Sequence, residues 1–484
     1  MNARLRWSPP AALACLGLVL CFWLLAPALN AVHLEGFTAQ TQSIAYLKSI
    51  APSVEHDPYL PRVTQYIAQT RIGVVDLLYA VYRVFPNASD DAFRGIVLAS
   101  FVAVLISAVL LARRWGGTHP LLAFFALILT PGIPETAFFF NDNIVSAAFA
   151  LVGLALVSLA SGHWASLLSG ACVAVAILCR LDAIFVLPIM LGAVLQCPER
   201  RTRRLVTLVL MFLGAVSTVA ASAVVHGFSL VDSFSIATQG LASINNSPVR
   251  LISTRLLFFG VAGTPFLLIG GWLAYRRLKE RRAYAGIATF IAYPLLLIAL
   301  APNVTEIRYV FPLIAPLVAM HGGNGLHWVY THLRTSAGAR TWMARGVAAF
   351  ALLVMLAPPT FLRMMDGPRS VLGRLWSPAM WMRWQEGIDE SLQRARELAA
   401  LMDNDRQTTL LATHYNDEFY LRLRLMEIGF LPARGLAGHP ECRGFSVFTK
   451  GRSTVVHIRS HPNYAKAPLI HPYNAALQLT SAFV

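Results

Sequence analysis

Acidic residues are scarce in this chain, and where they stand is its most informative feature. Glu35 closes the first apolar run. Glu55 and Asp57 follow in the next polar stretch, Glu135 and Asp142 stand at the end of the third run, and Glu306 lies between the ninth and tenth. A carboxylate at a membrane boundary is costly to desolvate; it either takes a proton from a reacting hydroxyl or is a solvated loop acid. Glu35 and Asp142 are the leading candidates for chemistry, with Glu55 and Asp57 behind them. Two arginines belong beside them: Arg180, two residues before Asp182 in Arg180-Leu181-Asp182, and Arg308 in Glu306-Ile307-Arg308-Tyr309. A guanidinium offers a planar fork of donors that matches phosphate oxygens. The plainer alternative is an anchor whose charged tip snorkels to water, or for Arg180 an ion pair that holds a hairpin. His414, His439, His457, His461 and His471 have no metal-ligand spacing, and five of the six cysteines lie in apolar runs without a CxxC pair. A Walker A loop, a GxGxxG after a strand and a GxSxG are all missing, so nucleotide-driven chemistry lacks support.

These residues sit in an apolar background. Of 484 residues 56% are hydrophobic and 13% charged, against about 25% charged in soluble domains, and the mean hydropathy is +0.57. This is the composition of a membrane protein, and it excludes a disordered chain, a coiled coil and a secreted disulfide scaffold. Lys+Arg 40 against Asp+Glu 24 gives a net charge of +16. The surplus sits in short clusters beside the apolar runs rather than in a basic stripe with interleaved aromatics, so no nucleic-acid partner is expected.

The elements that must position the candidates are apolar runs near 11–32, 94–112, 120–140, 144–161, 164–181, 183–197, 205–226, 256–275, 283–301, 309–322 and 346–362. That makes about eleven transmembrane helices for a hydrocarbon core of about 30 Å. With the N-terminus cytoplasmic, the clusters at Arg4/Arg6, Arg113–Arg114, Arg200–Arg204, Arg276–Arg282 and Arg334–Arg345 all fall inside. The first run also resembles a cleavable signal peptide, but its length favours a retained span. Residues 33–93 form a long first external loop. Val63, Tyr66, Ile67, Val74, Leu77, Leu78 and Val81 repeat there at helical spacing, which predicts helices lying in the outer interface. Residues 1–362 make the transmembrane domain. Residues 363–484 make a small external α/β domain, with strands expected at Thr408–Thr413, Ser446–Thr449 and Thr454–Ile458 and helices at 376–402 and 417–428. The fold class is thus an α-helical polytopic membrane protein with a C-terminal α/β domain.

Several of these stretches together resemble the GT-C superfamily of multi-span glycosyltransferases that use polyprenyl-phosphate sugars, of the protein O-mannosyltransferase and aminoarabinose transferase type. Leu34-Glu35-Gly36-Phe37 holds the place of that superfamily's acidic motif after the first span. Val75-Asp76-Leu77-Leu78-Tyr79 is similar to its Pro-Leu-Tyr-Tyr stretch, and Asp91-Ala92-Phe93-Arg94-Gly95 to its Arg-led second span. Thr130-Pro131, Phe140-Asn141-Asp142-Asn143, Cys179-Arg180-Leu181-Asp182 and Arg308-Tyr309-Val310-Phe311-Pro312 match further motifs in the same order. The resemblance covers about residues 10–320. Leu34 stands where the superfamily usually has the first of two acids, which leaves Glu35, or Glu55 and Asp57 folded back, to serve as base.

The resemblance implies an inverting transfer of a sugar from a polyprenyl-phosphate donor to an acceptor hydroxyl on the external face. The acceptor is a glycan, a lipid or a protein. Glu35 takes the acceptor proton, Asp142 orients the acceptor or shares the proton, and Arg308 and Arg180 bind the donor phosphate. No metal and no resident cofactor are expected, the lipid-phosphate-linked sugar being the donor substrate. The expected location is a bacterial inner membrane with the C-terminal domain periplasmic. The competing function is a transporter or flippase of an amphipathic substrate, with Arg180 and Asp182 as a gate; a third is a non-catalytic scaffold.

Overall fold

The computed structural model of the chain describes residues 33–34, 45, 70–85, 89–129, 139–140, 142–160, 162–196, 201–226, 231, 233, 266–276, 311–335, 408–414, 431–432, 445–450 and 453–460. These fall into two compact units, one of residues 1–32 and 90–381, the other of residues 33–89 and 382–484.

The first unit is helical. Helix α2 (Ser89–Gly116) follows α1 (Ile72–Val84) of the second unit and is longer than the apolar run that predicted it. It stops at Gly117, whose φ of +63° only glycine adopts without strain. The Gly117 N–H donates to the Arg113 carbonyl at 3.1 Å, the bond of an αL cap. Helix α3 (Pro120–Leu129) opens on a proline, whose missing N–H is no loss there. Residues 120–140 were expected as one span. The helix instead ends at Leu129, before Thr130-Pro131, and Phe139–Phe140 is a short strand (β2; β1 is His33–Leu34). The physical reason is that a proline disfavours helical geometry in the residue before it.

Helices α4 (Asp142–Leu159) and α5 (His163–Cys179) form an antiparallel hairpin. Two serines clamp it through backbone carbonyls: Ser146 Oγ donates to Ala176 O at 2.9 Å and Ser169 Oγ to Gly153 O at 2.7 Å. Then come a 3-10 turn (Leu181–Val186) and α6 (Leu187–Gln196), where a single span was expected at 183–197. Pro188 lacks the N–H that would extend a regular helix backwards, and the tighter turn precedes it. Helix α7 (Arg201–His226) packs parallel on α5, the starts of the two helices lying side by side. A Cβ on Gly170 would collide with the Met211 carbonyl, and one on Gly214 with the Leu167 carbonyl. The two backbones therefore touch through reciprocal glycines, as they do where lipid removes any hydrophobic drive between helices. The rest of α7 turns apolar side chains outward, Phe212 being 67% exposed. Residues 95–116 and 201–225 are long and apolar enough to cross a membrane; Asn143–Leu159, His163–Cys179 and Leu181–Gln196 are shorter apolar helices.

Helix α8 (Phe311–Leu317) contains Pro316 and runs through a π-helical turn (Val318–Gly322) into α9 (Gly323–Thr335), well past the 309–322 run expected. Residues 266–276 pack against this stretch with Gly270 on the His321 carbonyl and Gly325 on the Phe266 carbonyl. Thr118 Oγ1 ties the end of α2 to it, donating to Met320 O at 3.3 Å and lying 3.1 Å from Asn324 Oδ1.

In the second unit α1 buries Ile72, Val74, Val75, Leu78 and Tyr82. Of the periodic face read from the sequence Val74 and Leu78 are buried, Leu77 and Val81 are half-buried, and Val63, Tyr66 and Ile67 lie outside the described residues. The three expected strands are present as β3 (Thr408–His414), β5 (Phe445–Lys450) and β6 (Ser453–Ser460); β4 (Leu431–Pro432) was not foreseen. Their order is β3-β6-β5-β4. β3 runs parallel to β6 from Thr408 opposite Thr454 to His414 opposite Ser460, and β5 pairs antiparallel with both β6 and β4. The helices expected at 376–402 and 417–428 lie outside the described residues.

Candidate functional site

The serine clamps fix the register of the α4/α5 hairpin, 146 opposite 176 and 153 opposite 169. Continued by one helical turn, that register sets Asp142, the first residue of α4, level with Arg180, the residue that ends α5. Two residues that the sequence singled out separately thus stand at the same end of one hairpin.

Arg180 leaves the helix in extended conformation (φ −157°, ψ 126°), its N–H still donating to Ala176 O at 2.8 Å. The Arg180 carbonyl accepts from Ala183 N–H at 3.1 Å, which starts the 3-10 turn and swings Asp182 back onto the arginine. Arg180 Nε lies 3.0 Å from Asp182 Oδ1 and 3.3 Å from Oδ2. The pair is largely dry, with side-chain exposures of 10% and 20%. An arginine held this way is a fixed charge with little freedom to lose on meeting an anion. Part of that charge is balanced by Asp182, so the two act as a unit.

Asn143 is the residue that sequence reasoning passed over. Its side chain is 2% exposed, and neither Nδ2 nor Oδ1 has a hydrogen-bond partner. Leaving a buried amide unpaired costs about 1–3 kcal/mol. The available signal was an amide one residue into an otherwise apolar helix, immediately after Asp142.

The 3-10 turn packs on α4, α5, α6 and α8, and α8 also packs on α4. Helix α8 begins three residues after Arg308. Arg308 itself lies outside the described residues, as do Glu35, which follows β1 directly, and Glu55 and Asp57. Of the resembling stretches, Val75–Tyr79 lies within α1, with Asp76 and Tyr79 half-buried, and 91–95 lies in the first turns of α2. Among the described residues no group of three His, Cys, Asp or Glu stands close enough to hold a metal ion.

This helical bundle, with apolar faces turned outward and a dry Arg–Asp turn beside an acidic helix start, shares its fold with solved structures. The chain superposes on ArnT from Cupriavidus metallidurans bound to undecaprenyl phosphate with a TM-score of 0.54 at 16% identity, covering 85% of this chain and 84% of that one. The apo state of the same ArnT gives 0.52 at 16% identity over 84% and 85% of the two chains. The apo oligosaccharyltransferase of Archaeoglobus fulgidus gives 0.51 at 11% identity over 87% of this chain and 64% of that one. No family profile and no curated protein matches the sequence.

Proposed function

We propose that the protein is an integral membrane glycosyltransferase that moves a sugar from a polyprenyl-phosphate donor to an acceptor hydroxyl on the external face, with inversion. The observation that carries this reading is the shared fold, over 85% of the chain, with an ArnT bound to undecaprenyl phosphate. The hairpin end that collects Asp142, Asn143, Arg180 and Asp182 supplies the polar groups such a reaction needs in an otherwise apolar bundle.

In the proposed reaction the acceptor oxygen attacks the anomeric carbon from the face opposite the phosphate. The C–O bond to phosphate breaks with its electron pair, and the lipid phosphate leaves as the anion. Glu35 receives the acceptor proton, and Asp142 orients the acceptor hydroxyl. Arg308 and Arg180 stabilise charge growing on the leaving phosphate, where low water content makes a fixed guanidinium most effective. The reading uses no metal. It places the N-terminus in the cytoplasm of a bacterial inner membrane, with about eleven spans and the C-terminal α/β domain outside.

The test is product formation in membranes carrying wild type or Glu35→Gln, supplied with a pool of labelled polyprenyl-phosphate sugars and endogenous acceptors. Transfer that vanishes in the variant supports both class and base. Transfer that survives moves the base to Glu55, Asp57 or Asp142. Absence of transfer from every donor counts against the class.

A further inference from the structure

The other end of the α4/α5 hairpin carries a second polar site. A cavity of about 220 Å³ opens there between the end of α2, the end of α4 and the starts of α5 and α7. Arg114, Ser158, His163, Arg203, Arg204 and Thr207 line it, and none of its described lining residues is acidic. By the rise of an 18-residue helix it lies about 27 Å from Asp142. One ligand group cannot serve both ends.

Three features make this cavity attractive to an anion. Arg203 and Arg204 stand in the first turn of α7, at the positive end of the helix dipole, and that turn contains no acidic residue. Helix α5 also begins at the cavity, its N-cap Gly162 giving no side-chain hydrogen bond and its first turn no acid. Two helix N-termini and three guanidiniums therefore face one space, an arrangement that suits phosphate. The third feature is Ser158. Its carbonyl receives Arg114 Nε at 3.2 Å, while its Oγ, in a side chain only 6% exposed, has no hydrogen-bond partner. The volume greatly exceeds what a single water needs and admits a phosphate with its ester carbons.

We infer that this cavity binds a phosphate ester, and that it does so as the headgroup of an anionic phospholipid. The lipid source is favoured because Leu159 and Val206, in the cavity wall, and Leu205 and Trp164, next to it in the chain, are exposed apolar groups positioned for acyl carbons. The cavity also sits at one end of both helices that, among the described residues, are long and apolar enough to cross a bilayer. Only the leaflet rests on the proposed topology, which makes it the cytoplasmic one. The bound lipid staples α2, α4, α5 and α7 together at their charged ends.

The experiment uses full-length protein in nanodiscs of phosphatidylcholine with or without phosphatidylglycerol. It reads the unfolding midpoint and the lipid retained in native mass spectrometry. Wild type is expected to retain phosphatidylglycerol and to unfold several degrees higher with it. Arg203→Gln/Arg204→Gln should weaken retention about tenfold or more, the loss of two charge-assisted bonds. Arg201→Gln, in the same turn but outside the cavity wall, should change neither, and Ser158→Ala gives a second variant with little risk to folding. A midpoint shift equal in wild type and the double variant overturns the site, as does the absence of any shift. A shift produced by millimolar inorganic phosphate, but not by phosphatidylglycerol, overturns the lipid assignment and makes the ligand a soluble phosphate. None of these readouts uses sugar transfer, so they fail independently of the proposed enzyme activity.

Discussion

The Arg180–Asp182 pair allows the sharpest test, because geometry and burial are both known. The charges sit in contact at 3.0 Å with side chains 10% and 20% exposed. At an effective dielectric of about 20 and a charge separation of about 4 Å, their attraction is about 4 kcal/mol. Much of that offsets the desolvation of two ions, so the net worth of the pair is small while the cost of removing one partner is large. Asp182→Asn and Arg180→Gln are each expected to destabilise the protein by about 3 kcal/mol. The double variant should cost about 2 kcal/mol less than the sum. Denaturant titration of the four proteins in mixed micelles, followed by tryptophan fluorescence, measures the cycle. Arg180→Lys separates stability from chemistry. It keeps the charge beside Asp182 and should lose less than about 1.5 kcal/mol, while sugar transfer falls about a hundredfold if the fork meets the departing phosphate. Additive single losses would show that the pair does not couple, and unchanged transfer in Arg180→Lys would reduce Arg180 to a hairpin fastener.

Other perturbations test the same framework. Asn143→Leu removes an unpaired buried amide and should raise stability by about 1 kcal/mol, with transfer lost if that amide meets a substrate; equilibrium unfolding and product assay read the two effects separately. Gly170→Leu or Gly214→Leu drives a side chain into a facing carbonyl and should cost at least about 2 kcal/mol, whereas Gly162→Ala, with nothing within 4 Å of its added Cβ, should be nearly neutral in the same titration. Gly117→Ala forces alanine to φ +63° and should cost about 1–2 kcal/mol, visible as a lower unfolding midpoint. Ser146→Ala removes the 2.9 Å clamp to Ala176 and should cost about 1 kcal/mol.

Much of this architecture is legible in the sequence because period and polarity encode it. The apolar runs near 94–112, 144–161, 164–181 and 205–226 are helices, and the β-branched stretches Thr408–Thr413 and Thr454–Ile458 are strands. Breaks inside apolar sequence were less legible. Apolarity alone does not distinguish a helix from the short strand Phe139–Phe140, nor foresee that the 309–322 run would continue through a π turn to Thr335. The Arg180–Asp182 ion pair was one of three readings open from the residues, beside a phosphate-binding guanidinium and an interfacial anchor, and the structure forms it. That Asp142 stands level with Arg180 depends on a hairpin register set by Ser146 and Ser169, and serines in apolar helices give no distinctive pattern. Asn143 went unnoticed for a related reason: an amide is unremarkable in sequence, and only its burial without a partner makes it informative.

The strand order β3-β6-β5-β4 bears on biogenesis. β6, the last of the four to be synthesised, lies between β3 and β5. Until residues 453–460 emerge, β3 has no neighbour on that side, and what exists is β5 with the two-residue β4. A parallel partner some forty residues away is also slow to find, because loop closure precedes any gain from pairing. The sheet therefore assembles only after its final strand has been synthesised. Meanwhile β3 offers an open edge to chaperones and proteases. Truncation ahead of Ser453 would split the sheet at its centre, leaving β3 apart from β5 and β4.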